Sequence, residues 1–290
     1  LNPEGRIVVS SLSLQDIVCC MGQPLGRNPT QYMMEKAFSA AGLDWRFLTI
    51  EVSPENLAAA VEGMKAMGFR GGTLALPHQV TVVAHLDTLT ETAKLVGAVN
   101  LVYVSQDKYV GDNTDGKGFL QALRKLMDPK GKNIVVLGAG GTARAISVEL
   151  ALAGVETITI VNRTVGRGQE LVNLLNESFN GLARLVQWEG DYVADPETDL
   201  LVNATSIGLR DESALVPVDF GSFTEQMVVA DVIHNPPKTK LLKAAGQRGC
   251  KTLDGLAMLV GHAAIDFTTW TGISPDTTIM REALEEYFEL

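Results

Sequence analysis

Gly138, Gly140 and Ala143 stand in the order G-x-G-x-x-A, directly after a short apolar, β-branched run at 134–137 and before an amphipathic run at 142–152. A strand that leaves a sheet through such a turn into a helix makes a cradle for a pyrophosphate. The first glycine permits the sharp turn, the second keeps side-chain atoms away from the phosphates, and the small third residue lets helix and strand pack closely. The turn residues Ala139, Gly141 and Thr142 and the positive end of the helix dipole then face the anion. Gly154 ends the helix, and residues 157–161 read as the next strand, at whose end the adenosine ribose is recognised. A carboxylate at that point would bind a free ribose 2′-hydroxyl. This chain instead places Asn162, Arg163 and Thr164 there, with Arg167 one turn on. Two guanidinium groups and a hydroxyl suit a 2′-phosphate, so the expected cofactor is NADP.

The 290 residues are enough for one large domain or two ordinary ones. A hydrophobic content of 46% with 20% charged residues describes a globular protein with substantial cores. The net charge of −10 argues against a broad nucleic-acid surface or an anionic-membrane surface, so the basic pair near Asn162 is a local feature. No apolar run approaches the ~20 residues needed to span a bilayer, and no secretory signal is legible, so a cytoplasmic protein is expected. Cys19, Cys20 and Cys250 form neither a disulfide framework nor a metal cluster. Adjacent in an apparent strand, Cys19 and Cys20 should point to opposite faces as buried, reduced thiols. His78, His85, His234 and His262 are scattered without metal-ligand spacing, and no metal site is expected.

Strand-like and helix-like runs alternate along the chain. Strands are expected at 16–21, 45–50 and 71–76, and helices at 31–41 and 54–67, with Ser53 as a plausible N-cap. Residues 78–86 and 91–95 read as helical, and 98–103 with 108–111 as a strand pair. This pattern predicts an α/β layer structure with a mostly parallel sheet. Ligands in such folds sit beyond the carboxyl ends of the strands, so the loops at 22–30, 76–79 and 111–116 should line a site. A helix at 117–127 leads to a linker at 128–131. Beyond the glycine turn, strands are expected at 200–203, 227–233 and 252–253, and helices at 240–247, 255–270 and 276–288. The expected organisation is a tail or linker at 1–15, a substrate (catalytic) domain at 16–116, a Rossmann NADP-binding domain at 117–252, and C-terminal helices at 253–290 that return to the substrate domain.

The blocks G-Q-P-L-G-R-N-P-T, G-F-R-G-G-T-L-A-L-P-H-Q, G-A-V-N, D-N-T-D-G, V-L-G-A-G-G-T-A-R-A, N-R-T, V-N-A-T-S-I-G, D-V-I-H-N-P-P-K-T and G-L-A-M-L-V-G-H occur in one order across residues 16–273. As a set they resemble the shikimate dehydrogenase family. That resemblance implies an oxidoreductase that reduces 3-dehydroshikimate to shikimate with NADPH, in aromatic amino acid (chorismate) biosynthesis, at a cleft between two domains. It also implies substrate contacts from Asn100 and Asp115, and cofactor contacts from Thr205 and Ser206. The partner is then a small molecule, with no nucleic acid and no membrane, acting on a monomer or homodimer. In some organisms this enzyme follows a dehydroquinate dehydratase in one chain, and a start at Leu1 rather than Met, with residues 1–15 ahead of the first βα unit, is compatible with such a fusion.

The same blocks depart from the family at the substrate side. The family's Lys after the His of I-P-H-K, linked to proton transfer, is Gln79 here, which neither carries charge nor exchanges a proton near neutral pH. The carboxylate-binding S-x-S pair becomes Asn28 and Thr30, a Thr becomes Ala75, and a Tyr and a Gln become His234 and His262. Catalysis is therefore expected to involve Asp115 and Gln79, with Asn28, Thr30, Asn100, His234 and His262 around the substrate. Three readings follow. In one, shikimate is the substrate and His262 or His234 supplies the proton. In another, the substrate is a different cyclic polyol acid, such as quinate or an amino analogue. In the third, the protein is an NADP-binding sensor or scaffold without turnover.

Overall fold

The computed structural model describes residues 14–26 and 28–290. Most of the expected tail lies outside the described residues, as does Arg27 of the first glycine–proline turn.

The first half alternates β1 (Asp16–Gly22), α1 (Pro29–Ala40), β2 (Trp45–Glu51), α2 (Leu57–Ala66), β3 (Gly71–Leu74), α3 (His78–Thr81), β4 (Thr88–Leu89), α4 (Glu91–Val96), β5 (Leu101–Ser105) and β6 (Lys108–Asp112). Its strands form one sheet in the order β2-β1-β3-β5-β6-β4. As expected, this sheet is mostly parallel: β1 runs parallel to β2 and β3, and β4 to β6, and only β5 runs against its neighbours β3 and β6. The short 105–108 connection can only reverse the chain between β5 and β6, since a parallel pair needs a crossover of a dozen or more residues.

The second half continues through α5 (Asp115–Leu123), β7 (Asn133–Leu137), α6 (Gly141–Leu152), β8 (Thr157–Asn162), α7 (Val165–Phe179), β9 (Ala183–Gln187), β10 (Leu200–Asn203), β11 (Val228–Asp231), α8 (Lys240–Gln247), β12 (Lys251–Leu253), α9 (Gly255–Thr271) and α10 (Thr277–Tyr287). Its six strands are all parallel, in the order β12-β11-β10-β7-β8-β9. Renumbered from β7, this is the doubly wound 3-2-1-4-5-6 order, whose direction of winding reverses between β7 and β10. The buried runs of β7, β8, β10 and β11 meet the demand of a parallel sheet covered by helices on both faces.

Helices α9 and α10 return to the first sheet. Leu256, Val260, Phe267, Trp270, Met280 and Leu284 join Val18, Met33, Phe38, Phe47 and Leu101 in one buried cluster. Phe38 stacks on Phe267 with centroids 5.1 Å apart. The Trp270 indole N–H donates to the Val102 carbonyl at 2.9 Å, so the aromatic side chain is buried with its polar handle satisfied. Helix α5 passes against both α6 and α9. Its glycines make this possible: a Cβ at Gly116 would overlap the Ala145 carbonyl, and one at Gly118 would overlap the His262 backbone.

Three local expectations change. Helix α5 begins at Asp115, two residues earlier than its apolar pattern suggested, which puts that carboxylate in the first helical turn. Ser53 precedes a 3-10 turn and its hydroxyl makes no capping bond, accepting instead from the Asn56 side-chain amide at 3.0 Å. Residues 78–86 split into α3 and a 3-10 turn at Val82–His85. Cys19 and Cys20 do enter different cores on the two faces of β1, and the three cysteines are buried and unpaired.

Candidate active site

The glycine turn lies at the reversal point of the doubly wound sheet. Gly138 has φ +107, a left-handed value that favours glycine, and a Cβ there would stand 3.0 Å from the Ala204 carbonyl. A Cβ at Gly140 or Gly141 would meet nothing within 4 Å, so the space above the α6 N-terminus is open to a ligand. Ala143 is wholly buried against the sheet, with Ala139 and Thr142 half-buried around the turn. At the end of β8 the Asn162 side chain donates to the Thr164 carbonyl at 2.8 Å and shapes the loop. Arg163, Thr164 and Arg167 are exposed, and neither arginine forms an ion pair among the described residues. Thr205 packs beside Gly138, its hydroxyl donating to Asn203 Oδ1 at 2.7 Å, and Ser206 is exposed on the same loop. The open cradle, the helix N-terminus and the free cations all fit NADP. When bound, that group supplies a hydride donor or acceptor. Replacing Arg163 and Arg167 together by Ala is expected to raise the KM for NADP⁺ roughly ten- to a hundredfold, from lost charge-assisted bonds, and to leave that for NAD⁺ nearly unchanged. Steady-state kinetics with both cofactors check it.

At the first sheet's carboxyl edge, the three expected loops are tied together. Gln23 N–H donates to the Leu76 carbonyl at 3.1 Å, Ala75 N–H to Met21 at 2.8 Å, and Val99 N–H to Gln79 at 2.7 Å. Asn100 is buried, and its amide nitrogen donates to Asp115 Oδ1 at 3.0 Å and to the Thr114 hydroxyl at 3.1 Å. Its oxygen accepts the Thr114 N–H at 2.7 Å. Asp115 is thus held by one carboxylate oxygen at the positive end of α5, and the other oxygen has no partner among the described residues.

The other expected substrate residues fall into two groups. Gln79 is half-buried and its Nε2 donates to the Leu74 carbonyl at 3.1 Å, which fixes the amide and leaves its oxygen to accept. His234 sits tilted on Phe288 at 5.8 Å between centroids. Burial, then the charges of Arg210 and His262, hold its imidazole below the ordinary value, so it stays neutral near pH 7. Asn28, by contrast, is largely spent on structure: Oδ1 accepts from Thr30 N–H at 3.0 Å as the N-cap of α1, and Nδ2 donates to the Thr49 hydroxyl at 3.2 Å. His78 is likewise structural, with Nε2 2.7 Å from the Val52 carbonyl.

Sequence reasoning missed three polar groups, Thr114, Asp266 and Asp231. Thr114 links Asn100 to Asp266, to which its hydroxyl donates at 2.7 Å. His262 and Asp266 are four apart on α9, a spacing that could have pointed to the pair. Asp231, at the end of β11, was also missed: it accepts from Thr239 at 2.7 Å, Ile233 N–H at 3.1 Å and Asn203 at 2.9 Å, and so ties together the loops that border the cofactor cradle. Burial pushes its carboxyl up to about 6 against those bonds. A carboxyl raised in the folded state gives its full stabilisation below the unfolded value, near pH 4, and loses it as pH rises through about 6, roughly 3 kcal/mol in all. Asp231→Asn should therefore gain stability relative to wild type between pH 4 and 7, measured by urea unfolding at each pH. Parallel stability curves for the two proteins would show that Asp231 is not the group responsible.

Comparison with known proteins agrees with this geometry. Residues 20–102 match the shikimate dehydrogenase substrate binding domain, and residues 121–206 match shikimate / quinate 5-dehydrogenase. The chain belongs to the shikimate dehydrogenase family. It is similar to the NADP⁺ shikimate dehydrogenase of Methanopyrus kandleri, 39% identical over 94% of this chain and 96% of that one. Among solved structures it resembles the ligand-free 5-ketofructose reductase of Gluconobacter sp. strain CHM43, at 46% identity and TM-score 0.93, covering 94% of this chain and 99% of that one. It also resembles the shikimate 5-dehydrogenase of Thermus thermophilus in complex with NADP(H) and shikimate, at 33% identity and TM-score 0.83, over 94% and 99% of the two chains. As a shikimate dehydrogenase family member, the protein is an NADP-dependent oxidoreductase with a two-domain α/β fold. Among the described residues no helix is long and apolar enough to cross a membrane, and no three His, Cys, Asp or Glu side chains gather as a metal site.

Proposed function

We propose that this enzyme interconverts a ketone and a secondary alcohol of a polyhydroxylated small molecule with NADP(H), and that the 3-dehydroshikimate/shikimate couple of its family is its reaction. The observation that carries this reading is the Asn100–Asp115 pair, hydrogen-bonded at 3.0 Å, with the second carboxylate oxygen unpaired among the described residues. In this reading Asp115 accepts a hydrogen bond from the substrate hydroxyl beside the reacting one and so orients the reacting carbon for hydride transfer. Gln79 accepts from a neighbouring hydroxyl, in place of the charged contact that a lysine would make. Thr30, Asn28, His234 and His262 border the remaining substrate groups. The reading places the enzyme in the cytoplasm, where buried thiols such as Cys19, Cys20 and Cys250 stay reduced.

A second reading is favoured by one specific observation. The expected carboxylate anchor is weak, because Asn28 caps α1 and bonds Thr49. A neutral polyhydroxy ketone needs no such anchor, and a similar solved structure is a 5-ketofructose reductase. The deciding measurement follows absorbance at 340 nm with shikimate or quinate plus NADP⁺ and with 5-ketofructose plus NADPH, for wild type and Gln79→Lys. Shikimate turnover by wild type supports the first reading. Turnover of 5-ketofructose alone supports the second, with shikimate activity appearing only in Gln79→Lys. Tight NADPH binding with no turnover of any of them overturns both and leaves a sensor or scaffold.

A further inference from the structure

Gln79 leaves the substrate site without the group that could exchange a proton, and α9 carries a candidate in His262. His262 Nδ1 stands 3.6 Å from Asp266 Oδ2. Both atoms are buried and neither has a hydrogen-bond partner among the described residues, so a small approach of the two would satisfy both. Asp266 is completely buried, and its second oxygen accepts from Thr114 at 2.7 Å. Thr114 bonds Asn100, and Asn100 holds Asp115. A polar path therefore runs from His262 across that 3.6 Å gap to Asp266, and on through the hydrogen bonds of Thr114 and Asn100 to Asp115. The close crossing of α5 and α9 at Gly118 and Gly261 sets His262 one helical turn from Asp115. The His262 side chain keeps 15% of its surface, and Nδ1 contributes almost none of it.

We propose that His262 gives and takes the proton of the reacting oxygen through Nε2, and that Asp266 is the buried residue that positions its ring and holds the proton on Nδ1. The inference rests on the functional reading above. As a ketone is reduced, its carbon receives the hydride and its oxygen receives the His262 proton, which solvent restores; oxidation of the alcohol runs the same transfer in reverse. A carboxylate behind a histidine fixes the tautomer and stabilises the imidazolium. Burial disfavours a charged His262, but Asp266, followed by the charge of Asp115, overcomes it and raises the imidazole above its ordinary value, while burial also raises the Asp266 carboxyl against the pull of His262 and Thr114. The groups facing it are Asp115 from α5, Asp266 on its own helix, and His234 from the loop after β11, which is held neutral. Toward β5, α1 and α10 the packing of α9 is apolar, through Leu101, Met33, Phe38, Met280 and Leu284. Those neighbours separate the two histidines the sequence left open: His262 has a carboxylate partner, and His234 has an aromatic ring.

The test compares wild type, Asp266→Asn and His262→Gln. An amide at position 266 still accepts from Thr114 but would donate to Nδ1, forcing the opposite tautomer. The readouts are kcat/KM against pH, with shikimate and NADP⁺ or 5-ketofructose and NADPH, together with an NMR titration of the His262 ring and the NADPH Kd. Asp266→Asn is expected to lower the His262 midpoint by about one unit or more, to move the limb of the pH profile with it, and to reduce kcat at least tenfold. His262→Gln should lose about 10²-fold or more in kcat and remove that ionisation from the profile. Both should bind NADPH within about twofold of wild type. An active wild type whose NMR midpoint and pH profile do not move in Asp266→Asn, or a His262→Gln enzyme within threefold of wild type, overturns the proposal while the functional reading stands. A wild type that turns over no substrate overturns the functional reading, and with it the catalytic part of the proposal. The Asp266–His262 coupling is then decided by the NMR titration alone, where an unmoved midpoint overturns it.

Discussion

Asp115→Asn is expected to lower kcat by about 10²- to 10³-fold while the NADPH dissociation constant stays within about twofold. The substitution is nearly isosteric, and an amide oxygen still accepts from Asn100 Nδ2, which now bonds the carboxylate at 3.0 Å. What disappears is the negative charge in the first turn of α5 and the free oxygen that accepts the substrate hydroxyl beside the reacting one. An amide donor in that place would present a hydrogen to a hydroxyl that needs an acceptor. The loss should appear in kcat more than in KM, because that hydrogen bond sets the orientation for hydride transfer. Rapid-mixing or steady-state kinetics on the active substrate, with a fluorescence titration of NADPH, provide the check. A kcat within tenfold of wild type would remove Asp115 from the reacting centre.

The second large effect is structural. Gly118→Ala should destabilise the protein by about 3 kcal/mol or more, even though alanine is the better helix former by up to about 1 kcal/mol. A Cβ at position 118 would lie 2.7 Å from His262 Cα and 2.8 Å from its Cβ, with the His262 amide nitrogen closer still. These are mostly backbone atoms, which cannot swing aside as a flexible side-chain end can, so α5 and α9 must separate. The same separation pulls Thr114 from Asp266 and His262 from Asp115, so activity should fall together with the unfolding midpoint. Gly63→Ala is the matched control: it lies within α2, and its Cβ would meet only the Met67 methyl at 3.8 Å. That variant should be neutral or stabilised by up to about 1 kcal/mol. Urea denaturation of the two variants settles the contrast, and equal behaviour would mean the helix crossing adapts without cost.

Much of the cofactor half was legible in advance because its signals are local. Strand, glycine turn and helix follow one another within about twenty residues at 133–152, and the requirement for small residues at Gly138, Gly140 and Ala143 is set by backbone geometry that neighbours in sequence determine. The basic residues after β8 were legible for the same reason, since the end of one strand places them at one edge. Buried strands were read correctly where apolar runs were unbroken. The strand pair at β5 and β6 was read as well, but not the place of that pair in the sheet, because strand order depends on which distant edges meet.

The substrate half divides differently. Residue identities by themselves determined that a charged group is missing at Gln79, that Asn100 and Asp115 are present, and that two histidines stand where other side chains are expected. They could not say what those side chains bond. Only the tertiary structure shows that Asn28 is consumed in capping α1 and bonding Thr49, that His234 packs on Phe288, and that Asp266 lies beneath His262 with Thr114 on its other side. Thr114 and Asp266 are separated by 152 positions, and no periodicity in either segment encodes their contact. It exists because two glycines let α5 and α9 touch backbone to backbone, and that close approach converts a half-buried histidine and a buried aspartate into one site.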